Sequence, residues 1–179
     1  MAMNRIEDFI KIYNDVFTSD YCEELINYIE QGNPKFIDNQ NKPRFHELVL
    51  EPDMVKDCVD TLNPFLDRYV ESVDCDLWLP PTYTYEYARV KKYRKGTEDQ
   101  FGPHVDVADH KSSKRFLAFL VYLNDVPQGG ETSFLGIDKY IRPKRGRMIV
   151  FPPLWMVPHQ GHPAISNDKY ILSTYLHYL

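Results

Sequence analysis

The hydrophobic period of this chain changes once, near Trp78, and that change restricts its fold more than any other feature. Before it, apolar residues recur at helical spacing in three sets. These are Tyr21, Cys22, Leu25, Ile26 and Ile29, then Met54, Val55, Cys58, Val59 and Leu62, then Phe65, Leu66, Tyr69, Val70 and Val73. Each set gathers on one face of a 3.6-residue helix. After Trp78 the repeat is two. Tyr83, Tyr85, Tyr87, Arg89, Lys91 and Tyr93 share one parity, and Thr82, Thr84, Glu86, Ala88, Val90 and Lys92 the other, which predicts one long strand. The apolar runs Phe116–Leu123, Arg147–Phe151 and Tyr170–Leu176 suit buried strands, with a shorter strand over Glu131–Leu135. Helices followed by strands, without βαβ alternation, predict a mainly β protein. The expected architecture is an antiparallel sandwich or jelly roll over about 78–179, with a helical layer from about 17–73 packed on one face. No repeat or linker divides the 179 residues, so 1–179 is read as a single domain.

Local signals set the boundaries. Thr18 or Ser19 reads as the N-cap of a helix over 19–31, with Asp20, Glu23 and Glu24 near its positive end and Gly32 and Pro34 as its stop. Phe9–Tyr13 reads as an edge strand, and residues 37–44 as a surface loop. Asn63 as N-cap and Pro64 at the first helical position would begin a new segment, giving two abutting helices or one kinked helix. Val107–Lys114 is polar and reads as a mobile loop.

Composition excludes several classes. The 13 Tyr and 10 Phe favour β-structure. A net charge of −5 without a basic block argues against nucleic acid as the main ligand. Cys22, Cys58 and Cys75 offer no disulfide framework and no zinc-ribbon spacing. The N-terminal segment has no apolar signal core and no run approaches membrane-spanning length, so a reducing, cytoplasmic setting without a membrane is expected.

The segment Gly102-Pro103-His104-Val105-Asp106 carries the chemistry. On a strand His104 and Asp106 point the same way, so an imidazole and a carboxylate could share one metal ion. A second imidazole would complete a facial set of two His and one carboxylate, which leaves metal positions open. The other histidines are His46, His110, His159, His162 and His177, and spacing alone does not choose among them.

From about Tyr87 to His177 the chain resembles the Fe(II)- and 2-oxoglutarate-dependent dioxygenases, in their prolyl 4-hydroxylase-like branch. The strings that carry the resemblance are Arg89-Val-Lys-Lys-Tyr93 with Gly96, Pro103-His-Val-Asp106, and Tyr122-Leu-Asn-Asp-Val126 followed by Gly129-Gly-Glu-Thr132. Pro143-Lys-Arg-Gly146 with Val150-Phe151, His159-Gln-Gly-His-Pro163 and Lys169-Tyr170 complete the order. The resemblance implies a double-stranded β-helix with His104, Asp106 and His159 as catalytic metal ligands. It selects His159 over His162 because the distal histidine lies ten residues before the basic residue, here Lys169. His162 is then a loop residue beside the site, His177 has no motif support, and His46 and His110 are surface residues.

Lys169 is implied as the partner of the distal carboxylate of 2-oxoglutarate, an anion that could not enter a dry pocket unpaired. Tyr93 is implied to hydrogen-bond the cosubstrate, and Thr132 to line its pocket. Arg89 shares parity with Tyr93 and faces either substrate or a salt-bridge partner. The implied reaction consumes O2, decarboxylates 2-oxoglutarate to succinate and CO2, and hydroxylates a C–H bond, with ascorbate as a reductant. A peptidyl proline is the favoured target. Another protein residue, a free amino acid or a small molecule is the alternative, as is a non-catalytic metal- or 2-oxoglutarate-binding sensor. Expected partners are a protein, peptide or small-molecule substrate, with the chain a monomer or homodimer.

Overall fold

The Thr18 side chain accepts the Tyr21 backbone N–H at 3.2 Å and caps helix α1 (Ser19–Gln31), as its sequence predicts. The computed structural model describes residues 5–39 and 43–179. Strand β1 (Lys11–Tyr13) precedes that helix, and β2 (Lys35–Asp38) and β3 (Arg44–Val49) follow it. Helix α2 (Pro52–Val73) leads to β4 (Tyr83–Tyr85), β5 (Arg89–Tyr93), β6 (Phe101–His104) and β7 (Arg115–Tyr122). The chain continues through β8 (Thr132–Phe134), β9 (Lys139–Ile141), β10 (Met148–Phe151), β11 (His159–Gly161) and β12 (Lys169–Tyr178).

These strands form two antiparallel sheets. The larger runs β1-β10-β7-β12-β5-β3-β2, with β4 paired to the far end of β12, and the smaller runs β6-β11-β8-β9. Alternation along β7 shows how the layers assemble. Leu117, Phe119 and Val121 pack outward with Leu25 and Ile29 of α1 and Leu62 and Leu66 of α2. Ala118 and Tyr122 face inward and join Tyr93, Phe134, Ile149, Phe151, Ile171 and Tyr175 between the sheets. Burying each such large apolar side chain contributes roughly 1.5–3 kcal/mol, so the period-two pattern fixes the register. The architecture is the expected jelly roll with helices on one face. Among the described residues no helix is long and apolar enough to cross a membrane.

Four expectations are corrected. The proposed loop 37–44 falls in a β2–β3 hairpin; its residues 40–42 lie outside the described residues. The hairpin is held by the cross-strand contact of Phe36 with His46 (4.7 Å between ring centroids), and Phe45 packs on Tyr93 (5.2 Å). Its polar face hid the strand pattern, and the helical layer of 17–73 therefore also contributes strands to the larger sheet. Of the two alternatives at Pro64 the single helix holds, since Pro64 starts no new segment but sits inside one continuous α2.

The long strand over residues 82–93 is broken at Glu86–Ala88. Four steps from Tyr85 to Arg89 oppose three from Ser173 to Leu176, a one-residue bulge. Parity therefore reverses: Tyr85 packs outward on Phe119, whereas Tyr93 packs inward. Finally, β6 ends at His104, so Asp106 lies beyond the strand.

Candidate metal centre and cosubstrate pocket

His104 and His159 are directly opposite each other on β6 and β11 of the smaller sheet. Their ring centroids are 4.2 Å apart. Asp106 reaches back from beyond β6, its two carboxylate oxygens each 3.4 Å from one imidazole Nε2. The three side chains are largely buried and offer donor atoms that all lie within 4.8 Å of one another. His104 Nδ1 lies 2.8 Å from the Gly102 carbonyl and His159 Nδ1 lies 3.1 Å from the Val157 carbonyl. A carbonyl only accepts, so both Nδ1 atoms carry a proton and each Nε2 is the atom turned toward Asp106.

Burial lowers the His159 pKa against the pull of Asp106, which keeps the imidazole neutral, the form that binds metals. Burial pushes the Asp106 carboxyl the other way, but His104, His159 and Lys91 around it hold it at about 2. Two imidazoles presenting Nε2 and one carboxylate in facial arrangement fit a divalent metal with open positions.

The triad and Lys169 line one cavity between the sheets. Lys169 and Tyr93 are register partners on β12 and β5, with Nζ 4.3 Å from the centre of the phenol ring. Lys169 Nζ donates to the Gly130 and His162 carbonyls at 3.2 Å, which leaves one of its three N–H groups without a partner among the described residues. The Gly129-Gly130 turn that supplies one of those carbonyls has both residues at positive φ (74° and 75°). A side chain at Gly129 would also meet the Pro163 carbonyl at 2.5 Å. Burial pushes the Lys169 ammonium down to about 7, opposed by Glu131.

Tyr93 is buried at the cavity wall, and burial raises its pKa, so the phenol stays protonated and able to donate. Thr132, opposite Gly161 on the smaller sheet, also lines the cavity. Its hydroxyl is held 2.5 Å from the Tyr122 hydroxyl, which also lies 3.1 Å from the Ile141 carbonyl. The structure thus brings His104, Asp106, His159, Lys169, Tyr93 and Thr132 to one cavity.

The remaining candidates lie elsewhere. Arg89 does not line the cavity but bonds Glu86 at 3.0 Å and the Tyr87 carbonyl at 3.1 Å. His162 follows β11, with its ring held by Ser133 (2.8 Å) and Gln160 (3.3 Å). His110 is exposed in the turn before β7. His177 is half-buried on β12. His46, expected at the surface, is half-buried on β3, and its buried Nδ1 has no partner among the described residues.

Several residues of the site went unread. Tyr175 donates its hydroxyl to Asp106 Oδ1 at 3.0 Å, and Arg115 stacks on the Tyr175 ring at 4.1 Å. Arg115 also donates to the Asp106 carbonyl (3.3 Å) and makes two bonds to Glu86 (2.5 and 2.7 Å). Lys91 and Ser173 line the cavity as well. The parity of β12, in which Lys169, Ile171, Ser173 and Tyr175 share a face, was the signal available for Ser173 and Tyr175.

Comparison with known proteins agrees with this geometry. The model of the 2OG-Fe(II) oxygenase superfamily matches residues 88–177, which run from the residue before β5 almost to the end of β12. Human prolyl 4-hydroxylase subunit alpha-3 is 22% identical over 189 residues, covering 96% of this chain and 34% of that protein. The chain thus spans about a third of the length of this relative. The viral collagen prolyl hydroxylase of Paramecium bursaria Chlorella virus-1, solved as its 2OG complex, superposes with a TM-score of 0.73 at 22% identity over 96% of both chains. A Trichoplax adhaerens prolyl hydroxylase, in complex with a hypoxia inducible factor oxygen degradation domain peptide, gives 0.75 at 16% identity, covering 95% of this chain and 84% of that one. At such identities the structural likenesses speak for the fold, and the family follows from the match over half the chain. Its cofactors are Fe(II), 2-oxoglutarate and O2, and this chain belongs to the 2OG-Fe(II) oxygenase superfamily.

Proposed function

We propose that the chain acts as one oxygenase domain that hydroxylates the C–H bond of a peptidyl proline, with His104, Asp106 and His159 holding Fe(II). The observation that carries this reading is one cavity lined both by an imidazole/carboxylate triad and by a buried lysine. Bound there, Fe(II) would supply the oxidising chemistry that activates O2 at the expense of 2-oxoglutarate. The protein's part is binding, orientation and exclusion of water. Lys169 pairs with the distal carboxylate of 2-oxoglutarate through its spare N–H, and Tyr93 donates from the cavity wall. Thr132, tied to Tyr122, lines the same cavity. Tyr175 holds the carboxylate of Asp106, and Arg115 holds its backbone carbonyl.

A proline substrate is supported by the names of the relatives, which are prolyl hydroxylases, one of them bound to a peptide. Three free cysteines and a net charge of −5 favour a cytosolic protein acting on peptide rather than nucleic acid. Anaerobic titration of Fe(II)-loaded protein with 2-oxoglutarate tests the centre through the visible charge-transfer band of the chelate. The band is expected in wild type and in His162→Ala, and is expected to vanish in His159→Ala. Its persistence in His159→Ala removes that residue from the metal. Succinate release stimulated by proline peptides, and not by alanine counterparts, tests the substrate.

A further inference from the structure

Two polar groups in the cavity wall have no assigned task. Lys91 is 8% exposed, and its Nζ has no hydrogen bond or ion pair among the described residues. Its ammonium lies over the rings of Phe45 and Phe101, 5.0 and 5.8 Å from their centres, and makes no ion pair among the described residues with Asp106, the carboxylate whose charge acts on it most. Ser173 is 5% exposed, and its Oγ is buried without a partner. Lys91 faces Ile171 across β5 and β12, and Ser173 is the next residue on that same inner face. Both line the cavity that holds the triad and Lys169.

A buried donor without a partner, such as the Ser173 hydroxyl, costs free energy, and an ammonium in a cavity wall is stabilised by an anion set against it. The charges around the cavity say what is missing. In the reading above, the distal carboxylate of 2-oxoglutarate meets Lys169, while the other carboxylate and Asp106 together match a divalent metal. The Lys91 ammonium is then left over. Glu47, its cross-strand neighbour, forms no ion pair with it among the described residues. One further anion is needed, and the remaining component of the reaction is the substrate.

Resting on the proposed oxygenase reading, we propose that Lys91 and Ser173 form a carboxylate subsite for the substrate, which therefore carries an acid group close to the carbon that is hydroxylated. For a proline substrate this means a chain-terminal carboxylate on the proline itself or an acidic side chain beside it. A neutral internal proline leaves Lys91 buried and unmatched, so the subsite selects against it.

The test uses the whole chain in its anaerobic Fe(II)–2-oxoglutarate form and two matched probe pairs. These are N-acetylproline against N-acetylprolinamide, and acetyl-prolyl-aspartate amide against acetyl-prolyl-asparagine amide. Binding is read from the shift of the chelate band. In wild type the acid member of at least one pair is expected to bind at least tenfold more tightly than its neutral twin. Lys91→Met keeps the apolar stem and is expected to reduce that ratio to within about twofold. Its affinity for 2-oxoglutarate stays within twofold of wild type, and Ser173→Ala narrows the ratio in part. Lys91→Gln repeats the measurement should the methionine variant fold poorly. Equal binding of acid and neutral probes by wild type overturns the inference while the chelate band upholds the oxygenase reading. A tenfold loss of 2-oxoglutarate affinity in Lys91→Met, with the probe ratio unchanged, assigns the lysine to the cosubstrate and also overturns it. Absence of the band in wild type sinks both readings.

Discussion

The Tyr175 hydroxyl donates to Oδ1 of Asp106 at 3.0 Å, tying β12 of the larger sheet to the segment that follows β6 of the smaller one. Asp106 has left its strand, so nothing in the sheet ladder orients its carboxylate. Tyr175 does so instead, while Arg115 holds the Asp106 backbone carbonyl and is itself gripped by Glu86. Groups that orient a metal ligand typically change metal affinity 10–100-fold when removed. Tyr175→Phe, which keeps the ring under the Arg115 guanidinium, is expected to weaken Fe(II) or Mn(II) binding about tenfold with an unchanged melting temperature. Metal titration followed by isothermal calorimetry measures it, and wild-type affinity would remove Tyr175 from this task.

On the proposed reading, Lys169 couples cosubstrate binding to protons. Burial pushes its ammonium down to about 7, so without cosubstrate most molecules hold it neutral above that pH. A bound carboxylate favours the ammonium and raises that value again. Binding therefore takes up a proton above pH 7, and affinity for 2-oxoglutarate is expected to fall by up to about tenfold per pH unit there. Calorimetry at pH 8 in buffers of different ionisation enthalpy should show uptake approaching one proton in wild type and none in Lys169→Met. Equal proton counts for the two proteins would contradict the pairing.

Much of this was legible before the structure. The N-cap at Thr18, the span of α1, and the core strands β7, β10 and β12 follow from periodicity, because each buries one continuous face. The triad and Lys169 were legible through the strings that resemble a family, since no spacing rule alone separates His159 from His162. The bulge at Glu86–Ala88 was not legible. One extra residue reverses parity without any change in residue type, so Glu86 turns toward Arg115 unannounced. Neither was the β2–β3 hairpin, whose Asn, Gln and Lys residues describe a solvated connection while Phe36 and Phe45 make the strands. Lys91 and Ser173 carry no local signal of function, because only the closing of one sheet over the other gives them a shared cavity.

Pro64 misled the helix boundary because its cost is accepted rather than avoided. The helix is continuous from Pro52 to Val73, so the Asp60 carbonyl loses the donor that residue 64 would supply. Leu62, Leu66 and Tyr69 are buried on either side, and that packing holds the helix together across the break. Pro64 is exposed, so Pro64→Ala restores a bond without disturbing the core. Its greater freedom in the unfolded chain offsets part of the gain. A net stabilisation of about 2 kcal/mol is expected, raising the melting temperature by roughly 4–8 °C. A calorimetric scan that shows no increase would mean the helix is already relaxed around the proline.

Asp99 anchors the approach to the metal strand. Its side chain is fully buried and accepts from the Arg94 backbone N–H (3.1 Å), Arg94 Nε (2.8 Å) and Nη2 (3.1 Å), and Arg44 Nε (3.3 Å). One residue later, Gln100 exchanges two backbone bonds of 2.9 Å with Arg44, and β6 begins. Burial alone would raise the Asp99 pKa, but Arg94 more than offsets it and holds the carboxyl below the ordinary 3.8. A depressed carboxylate contributes stability that is present above the unfolded value and is lost as pH falls toward the folded one. Asp99→Asn keeps the shape but not the charge. Because Arg94 is partly exposed, its loss is expected to cost about 2 kcal/mol at pH 7, less than for a fully enclosed pair. Urea unfolding at pH 7 and pH 3 should show the gap between wild type and variant closing at the lower pH, as wild-type Asp99 begins to protonate. A gap of the same size at both values would show that packing of the side chain, and not its charge, secures the turn into β6.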